Sequence, residues 1–381
     1  MVCSSSTTRD LSEEMKSPPE WVTVLVLGGC GNLGRHMVKL LIEQGKGVHE
    51  IRVLDCQEKP PDCHLMSNGT KLSFIKGDIR NMDDLRGAFK DVTVVVHSAA
   101  VIQSGAVFIN DVNIKGTKNV IKACLECNVQ NLVYTSSTEI SRDTGMIVEN
   151  CDEDDIDKRK LHHVTDLLNG YTKSKQIAED KVRAAEGQLL KNGKRLHTVV
   201  LRPCGIYGDG DKVIIPKFLK FAHQCCYGFL PRMGGTSTRV SLVYVGNAAW
   251  AHVCAVRAIL TDAEKVTGRC YNITDDTPVT DYFTFIEPFL GAHNMKVLPI
   301  AIPILFVYYF MFLMEIFCVL IGPIYKVSLP STKEEVLLAG TTTHYCGKRC
   351  RRELSYKPYY SHKEAYSLAY QYYASLVPQD L

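Results

Sequence analysis

The stretch VLVLGGCGNLG, Val24 to Gly34, joins a short apolar run to glycines spaced G-x-x-G-x-x-G at Gly28, Gly31 and Gly34. The apolar run predicts a strand and the residues after it predict a helix, the setting in which such glycines bind a dinucleotide. Glycine is needed because the turn is tight, the backbone approaches the pyrophosphate and the helix packs closely. The helix N-terminus then favours the phosphate charge. Glycines alone are a weak signal, so the reaction has to be inferred from the rest of the chain.

Apolar, β-rich runs alternate with helical patterns through the first half of the chain. The predicted strands are Val22–Leu27, Ile51–Leu54, Leu72–Ile75, Val92–His97, Leu132–Thr135 and Thr198–Leu201. The predicted helices include Leu33–Gln44, Asp111–Leu125 and Tyr171–Glu186. Alternation at this spacing predicts parallel βαβ units, and hence an α/β fold with a doubly wound parallel (Rossmann) sheet. After about Ile206 the alternation fades, which indicates a smaller C-terminal substrate region.

We therefore expect five segments along the chain. These are a disordered leader (1–20), a dinucleotide-binding Rossmann domain (21–205), a substrate-binding region (206–296), a membrane-associating apolar segment (297–325) and the C-terminal part of the substrate region (326–381).

The apolar segment Val297 to Tyr325 contains a single charged residue, Glu315. Apolar runs of 18 or more residues are typical of membrane segments, although a buried core helix is the alternative. A carboxylate in the middle of the run costs a few kcal/mol at the centre of a bilayer. An interfacial or re-entrant helix therefore stands beside a full span, and we expect both of its ends to be cytosolic.

The composition excludes some classes of function. The net charge is only +3, so nucleic acid is not an expected partner. Fifteen cysteines are scattered along the chain and residues 1–20 lack the apolar run of a secretory signal, so we expect free thiols in a reducing, cytosol-facing environment. Cys124 and Cys127 lack a second pair of ligands, so no metal site is predicted.

Two aspartates follow predicted strands and could contact a dinucleotide. Asp55 can accept hydrogen bonds from both ribose hydroxyls and would repel a 2′-phosphate, which favours NAD over NADP. Arg35 and Lys59 are positively charged and would instead favour the 2′-phosphate of NADP. Asp78, in the stretch KGDI, has two interpretations: a contact to the adenine amino group, or a helix N-cap.

The stretch YTKSK places Tyr171 and Lys175 on one face of a helix. A free tyrosine has a pKa of about 10, and a nearby ammonium group stabilises tyrosinate, which suits general acid/base chemistry near neutral pH. The stretch VYTSST, Val133 to Thr138, ends a predicted strand and supplies hydroxyl groups that could orient a substrate oxygen. The sequence thus predicts hydride transfer from an alcohol.

These motifs resemble the extended short-chain dehydrogenase/reductase family. The matching stretches are GGCGNLG, LD at Asp55, GDI, HSAA, VNIKGTKNV, YTSS, YTKSK and RPCGIYG. The resemblance implies a catalytic triad of Ser137, Tyr171 and Lys175. It also implies cofactor contacts at Asn32, Leu33, Asp78, Ile79, Ala99 and Pro203.

More narrowly, the chain is similar to the 3β-hydroxysteroid dehydrogenase/Δ5-Δ4 isomerase family over residues 21–375, through VYVGNAAWAH, YNITDDTP, FLME and ELSYKP. This resemblance implies NAD-dependent oxidation of a steroid or sterol, with Tyr271 and Asp275 as the isomerase pair. It also implies attachment to the endoplasmic reticulum membrane, or to a mitochondrial one, with the catalytic domain facing the cytosol. His252 is expected to support the fold, and a homodimer is left open.

Three alternatives remain at this point. The stretch LLAGTTTHY, Leu337 to Tyr345, favours the decarboxylating sterol-4α-carboxylate 3-dehydrogenases. Asp275 could be a turn residue in TDDTP. The chain could also be another extended dehydrogenase or a protein that only binds the cofactor.

Overall fold

The computed structural model describes residues 21–57, 69–102, 104–141, 147–158, 170–225, 227–322, 329 and 331–377. The predicted leader and Lys59 lie outside the described residues.

The strands are β1 (Val22–Leu27), β2 (Val48–Asp55), β3 (Lys71–Lys76), β4 (Val94–His97), β5 (Asn131–Thr135), β6 (Val148–Cys151), β7 (His197–Pro203), β8 (Gly205–Tyr207), β9 (Phe229–Met233), β10 (Leu242–Tyr244), β11 (Arg269–Ile273), β12 (Lys296–Ile302) and β13 (Thr343–Tyr345). The α-helices are α1 (Asn32–Gln44), α2 (Met82–Ala88), α3 (Ala106–Asn110), α4 (Thr117–Glu126), α5 (Glu153–Lys158), α6 (Tyr171–Ala184), α7 (Ile215–Cys225), α8 (Val245–Thr261), α9 (Ala263–Val266), α10 (Tyr282–Gly291), α11 (Ile304–Ile321), α12 (Lys333–Ala339), α13 (Lys348–Glu353) and α14 (His362–Ser375). A π-helical turn (Asp111–Gly116) precedes α4, and a 3-10 turn (Thr138–Ser141) follows β5.

Seven parallel strands form the central sheet in the order β11-β7-β5-β4-β1-β2-β3. Each of the six predicted strands is present, and the doubly wound prediction is confirmed. The strand order reverses between β1 and β4, and ligands of such sheets bind at the carboxyl ends of the strands beside this point.

The glycine-rich stretch begins on a strand that is buried on both faces. Val24 and Val26 pack on one side with α1 and α8, whereas Leu25 and Leu27 pack on the other side with α2, α4 and α6. All four side chains are fully buried. A parallel strand covered on both faces has to be apolar throughout, which is why this stretch has no polar alternation.

The chain returns to the central sheet after the predicted domain boundary at residue 205. Strand β11 pairs with β7, and α8 packs against α1. The predicted substrate region has a core of its own, to which α7, α10 and α14 contribute. The Asp211 carboxylate links α7 to α14, because it accepts hydrogen bonds from the Ile215 amide (3.0 Å) and the Tyr373 hydroxyl (2.9 Å).

The predicted apolar segment starts as strand β12 and continues as helix α11. Within the described part of the chain, α11 is the one helix long and apolar enough to cross a membrane, with a mean hydropathy of 2.5 and 6% of it buried. Helix α12 runs back along it, because Lys333 contacts Glu315 and Gly340 lies against Ile304. The Lys333 ammonium lies 2.5 Å from a Glu315 carboxylate oxygen, so the charge in the middle of the run is paired.

Candidate active site

The glycine loop leaves β1 in a conformation that only small residues allow. Gly28 has φ of +81°, and a Cβ atom added there would lie 2.7 Å from the backbone of Ala99. A Cβ on Gly34 would lie 2.1 Å from the Gly28 carbonyl oxygen. Helix α1 then begins at Asn32, with Leu33 in its first turn. The loop is thus a backbone cradle at a helix N-terminus, which suits a pyrophosphate.

Asp55 ends β2 beside this loop, with its side chain 8% exposed. Its carboxylate accepts hydrogen bonds from the amides of Cys30 (3.0 Å) and Gln57 (2.9 Å). It also lines a cavity of about 190 Å³ with Cys30, Val53, Gln57, Phe74, Ile75 and Lys76. Apolar side chains that could contact an adenine ring, together with a carboxylate that could accept hydrogen bonds from a ribose, suit an adenosine.

Two positive groups bear on the choice between NAD and NADP. Arg35, which the sequence suggested as a phosphate contact, pairs with Asp209 at 3.0 Å. Lys76, at the end of β3, lines the same cavity as Asp55, and no pattern in the sequence indicates this. It is the group in this cavity that would oppose the preference for NAD.

Asp78 is not the N-cap of the following helix, because Asn81 caps α2 and accepts a hydrogen bond from the Asp83 amide. The Asp78 carboxylate is paired with Arg80 at 2.5 Å, which holds the pKa of that carboxyl below its ordinary value. The next residue, Ile79, is buried and packs against Gly116, where a Cβ would lie 2.5 Å from the Ile79 side chain. The adenine contact remains a prediction.

Ser137 and Tyr171 are brought together at the carboxyl edge of the sheet. Gly170, in the left-handed conformation, places Tyr171 at the first position of α6. Both side chains are at most 9% exposed. Burial raises the pKa of Tyr171, the charge of Glu139 raises it further, and the hydrogen bond with the Ser137 hydroxyl lowers it. The sequence predicts a lowered tyrosine pKa, but the pKa of Tyr171 is raised because burial is the larger effect.

Lys175 lies one turn further along α6 and is 2% exposed. Its ammonium group donates a hydrogen bond to the Thr135 carbonyl oxygen at 2.5 Å and lies 4.5 Å from the centre of the Tyr134 ring. Burial lowers the pKa of Lys175 to about 7, and the charge of Glu179 opposes this effect. Lys175 can therefore gain or lose a proton near neutral pH.

A hydrogen-bonded support lies behind the lysine. The Thr135 hydroxyl lies 2.9 Å from His252 Nε2, and His252 Nδ1 lies 2.8 Å from the Ala248 carbonyl oxygen. Because Nδ1 must donate to that carbonyl, Nε2 accepts from Thr135. Burial lowers the pKa of His252 to about 4, so the ring is neutral and holds the end of β5 in place.

Asn113 forms a second support that the sequence did not reveal. Its amide oxygen accepts from the Val101 amide (2.9 Å), and its amide nitrogen donates to the Val101 carbonyl oxygen (3.0 Å) and the Ser174 hydroxyl (2.9 Å). Asn113 lies in the π-helical turn, where a helix widens to turn one side chain inward. It ties the chain after β4, which carries Ala99, to helix α6.

Tyr271 lies in β11, and Asp275 follows the end of that strand. Cys270 faces α6, where its sulfur lies 3.9 Å from Glu179, so Tyr271 points to the opposite face of the sheet. The Tyr271 hydroxyl donates to Glu353 at 3.2 Å. The Asp275 carboxylate accepts from the Tyr244 amide (3.0 Å), the Asn247 side chain (2.9 Å) and the Thr277 amide (3.0 Å). These bonds fix a turn at the start of α8.

Pro203 ends β7, and its carbonyl oxygen accepts a hydrogen bond from the Thr138 hydroxyl (3.4 Å). Among the described residues, Asp157, Glu179 and Cys270 form a cluster of side-chain types that can bind a metal ion. The buried Arg202 guanidinium bonds to Asp157 (2.8 Å) and Glu179 (2.5 Å). The carboxylates of this cluster therefore neutralise a buried arginine.

The sequence pattern of the 3-beta hydroxysteroid dehydrogenase/isomerase family matches residues 25–301. The chain belongs to this family. Residues 25–301 include the glycine loop, the Ser137–Tyr171 pair and Lys175, so the family assignment rests on the same part of the chain as the site.

Several solved structures share this fold. A dTDP-glucose 4,6-dehydratase from Streptomyces venezuelae with NAD bound is 18% identical, with a TM-score of 0.65 over 92% of this chain and 97% of that one. The dTDP-glucose 4,6-dehydratase of Bacillus anthracis, in complex with NAD, is 17% identical, with a TM-score of 0.63 over 92% of this chain and 96% of that one. MoeE5 in complex with UDP-glucuronic acid and NAD is 16% identical, with a TM-score of 0.61 over 92% and 98%. At these identities the similarity shows the fold alone.

Proposed function

We propose that this protein oxidises the 3β-hydroxyl group of a steroid or sterol to the ketone, with NAD as the hydride acceptor. The observation that carries the proposal is the buried Ser137–Tyr171 hydroxyl pair, beside Lys175, in a chain of the 3β-hydroxysteroid dehydrogenase/isomerase family.

Each residue of the site has a role in removing the hydroxyl proton. Ser137 and Tyr171 orient the substrate oxygen between their hydroxyl groups, and Tyr171 accepts the proton as general base. Lys175, which titrates near neutral pH, takes up and passes on that proton. The Thr135 carbonyl and His252 hold the lysine side of the site in position. When NAD is bound, it supplies the hydride acceptor and a positively charged ring.

The residues of the loop fit this cofactor. A Cβ at Gly28 or Gly34 would fill the cradle that a pyrophosphate needs, and Asp55 stands at the rim of the adenosine cavity. The dehydratases with the same fold were solved with NAD bound. We propose NAD over NADP because a 2′-phosphate beside Asp55 would be repelled.

We further propose that a Δ5-Δ4 double-bond shift follows the oxidation. The stretch LLAGTTTHY, which favours the decarboxylating branch on sequence grounds, has a structural explanation: Tyr345 packs on the turn after β5 and its hydroxyl donates to the Thr138 carbonyl oxygen at 3.2 Å. Decarboxylation of a sterol-4α-carboxylate remains the second candidate.

A microsomal assay with a panel of 3β-hydroxysteroids and 4-carboxysterols separates these outcomes when NADH, ketone position and carbon dioxide are all measured. We expect NADH and a conjugated 3-ketone from the hydroxysteroids. Carbon dioxide from the carboxysterols would favour the second candidate. NAD binding without turnover of any substrate would indicate a protein that only binds the cofactor.

We also propose that α11 lies at a membrane surface, that of the endoplasmic reticulum or a mitochondrion, with the catalytic domain on the cytosolic side. Large apolar side chains are exposed on it, including Leu305, Phe306, Tyr309, Phe310, Leu313, Phe317, Val319 and Leu320. Removing these half-exposed side chains from water is worth on the order of 10 kcal/mol. The return of α12 along α11, with Lys333 at Glu315, supports an interfacial or re-entrant helix over a single span.

Protease protection in sealed microsomes tests this topology. A tag after Leu381 should be digested from outside, because the chain returns to the cytosolic side. Protection of that tag would contradict the interfacial arrangement, and recovery of the protein without membranes would contradict attachment. Whether the protein forms a homodimer stays a prediction.

A further inference from the structure

A short segment of the substrate region, residues 208–211, crosses the first turn of helix α1. This segment, which we call the strap, follows β8 and precedes α7. Gly210 in the strap has φ of +85°, and a Cβ atom added there would overlap the Arg35 guanidinium and lie 2.6 Å from Asn32 Oδ1. The strap backbone therefore rests directly on the turn of α1 that follows the glycine loop.

Two side chains of α1 bind the strap. The Arg35 guanidinium lies 3.0 Å from the Asp209 carboxylate, and His36 Nε2 donates a hydrogen bond to the Asp209 carbonyl oxygen at 3.1 Å. Leu33, a predicted cofactor contact in the same turn, packs against the core of the substrate region as well as against that of the central sheet. The first turn of α1 is thus held from both regions of the protein.

Helix α14 holds the other side of the strap. The Gly208 amide donates a hydrogen bond to the Tyr373 hydroxyl oxygen at 2.7 Å, and that hydroxyl donates to the Asp211 carboxylate at 2.9 Å. The neighbouring Tyr372 hydroxyl donates to the Asp211 carbonyl oxygen at 3.2 Å. Tyr373 is fully buried, so water does not replace its hydrogen bonds when they are lost.

The Asp211 residue fixes the shape of the strap itself. Its carboxylate accepts hydrogen bonds from the amides of Val213 (2.7 Å), Ile214 (3.0 Å) and Ile215 (3.0 Å). Its own amide donates back to the Gly208 carbonyl oxygen at 2.9 Å. The strap is therefore a rigid link between α14 and α1.

We propose that the strap is part of the dinucleotide site and that Gly210 and Tyr373 are positioning residues for NAD. The amide groups in the first turn of a helix are those that bind a phosphate, and the strap holds the first turn of α1 in place. The affinity for NAD therefore depends on helix α14, which lies far from the glycine loop in the sequence. The inference goes beyond the proposed oxidation, because it involves the cofactor and no steroid.

The test measures NAD affinity by calorimetry, together with the unfolding temperature of the detergent-solubilised full-length protein. Tyr373→Phe removes both hydrogen bonds of the hydroxyl group and keeps the ring. Gly210→Ala places a Cβ atom between the strap and α1. Tyr370→Phe, on the exposed side of α14, is the matched control.

We expect Tyr373→Phe to weaken NAD binding by about fivefold, the factor that one lost hydrogen bond is worth, and Gly210→Ala to weaken it by at least as much. Tyr370→Phe should leave the affinity unchanged. Because both variants act on the same strap, the double variant should bind NAD about as weakly as the weaker of the two single variants. Tyr372→Phe removes one hydrogen bond of the strap and should weaken binding in the same direction, so it replaces Tyr373→Phe if that variant does not fold.

A destabilising change elsewhere separates positioning from stability. Ile259→Ala, in the buried core near the end of α8, should lower the unfolding temperature because it leaves a cavity. It should leave NAD affinity at the wild-type value, because Ile259 does not belong to the strap or to the first turn of α1. A merely structural role for Tyr373 would give the same pattern as Ile259→Ala.

Several results would overturn the inference. Wild-type NAD affinity in Tyr373→Phe and Gly210→Ala would do so, as would an equal loss in Ile259→Ala or fully additive losses in the double variant. If the wild-type protein binds NAD but oxidises no 3β-hydroxysteroid, the proposed function fails and the strap is still tested. A wild-type protein that binds no dinucleotide would contradict both.

Discussion

Replacing Lys175 by methionine should abolish the proposed activity and stabilise the fold. Lys175 is 2% exposed, and burial lowers its pKa from 10.5 to about 7. A shift of that size corresponds to a penalty of about 5 kcal/mol on the protonated form. Methionine fills a similar volume without charge, but it loses the bond to the Thr135 carbonyl oxygen, worth about 2 kcal/mol. Lys175→Met should therefore be more stable by roughly 3 kcal/mol at neutral pH, or about 5 °C in Tm.

The stabilisation of the fold by Lys175→Met should decrease as the pH rises. The pKa of Lys175 is lower in the folded chain than in the unfolded one, so between about pH 7 and pH 10.5 the unfolded chain binds more protons. Wild-type stability should thus rise with pH across this window. The advantage of Lys175→Met should be greatest at and below pH 7 and should fade towards pH 10.

Thermal unfolding of detergent-solubilised protein, followed by circular dichroism from pH 6 to pH 10, measures this difference. Lys173→Met, on the exposed side of the same helix, is the matched control and should change the free energy of unfolding by less than about 0.5 kcal/mol. Equal Tm values for wild type and Lys175→Met at pH 7, or a difference that does not vary with pH, would refute the reasoning.

Three further variants test the cofactor site and its support. Gly28→Ala should lower NAD affinity by about tenfold or more in calorimetry, because Gly28 has φ of +81° and the new Cβ would lie 2.7 Å from the Ala99 backbone. Gly87→Ala is the control and should leave the affinity unchanged, because no atom lies within 4 Å of its new Cβ. Asp55→Ala should reduce the ratio of NAD to NADP affinity, and a wild-type preference for NADP would show that Asp55 is misread. Thr135→Val should lower kcat by about tenfold with little change in KM, because the hydrogen bond to His252 is lost. Thr135→Ser should keep both the hydrogen bond and the wild-type kcat. Equal kcat values in the two variants would contradict the role of Thr135 as a support.

The parts of the site that could be predicted are those written in a short stretch of sequence. The glycines and the strand before them are adjacent in the chain, and burial on both faces of β1 leaves an unmistakable apolar run. Tyr171 and Lys175 are one helical turn apart, so their common face follows from helix geometry alone.

What could not be predicted depends on contacts between distant residues. The five-residue strand β11 joins the sheet only after the chain has left it for the substrate region, and no local pattern marks that return. Asn113 turns inward because of a π-helical turn, which sequence periodicity does not reveal.

The role of Tyr271 and Asp275 as an isomerase pair stays a prediction from the resemblance. The sequence does not reveal their contacts, because the Tyr271 hydroxyl donates to Glu353 and the Asp275 carboxylate accepts three hydrogen bonds, and all but one of these partners are distant in the chain.

The most direct test of the central claim is the stoichiometry of NADH and ketone formed from a 3β-hydroxysteroid by the wild-type protein and by Tyr171→Phe, with the 3α-hydroxy epimer as control. We predict equal amounts of NADH and 3-ketosteroid from the 3β-epimer, none from the 3α-epimer, and a rate at least about 100-fold lower in Tyr171→Phe. Full turnover by Tyr171→Phe, or no NADH from any 3β-hydroxysteroid with the wild-type protein, would contradict the account.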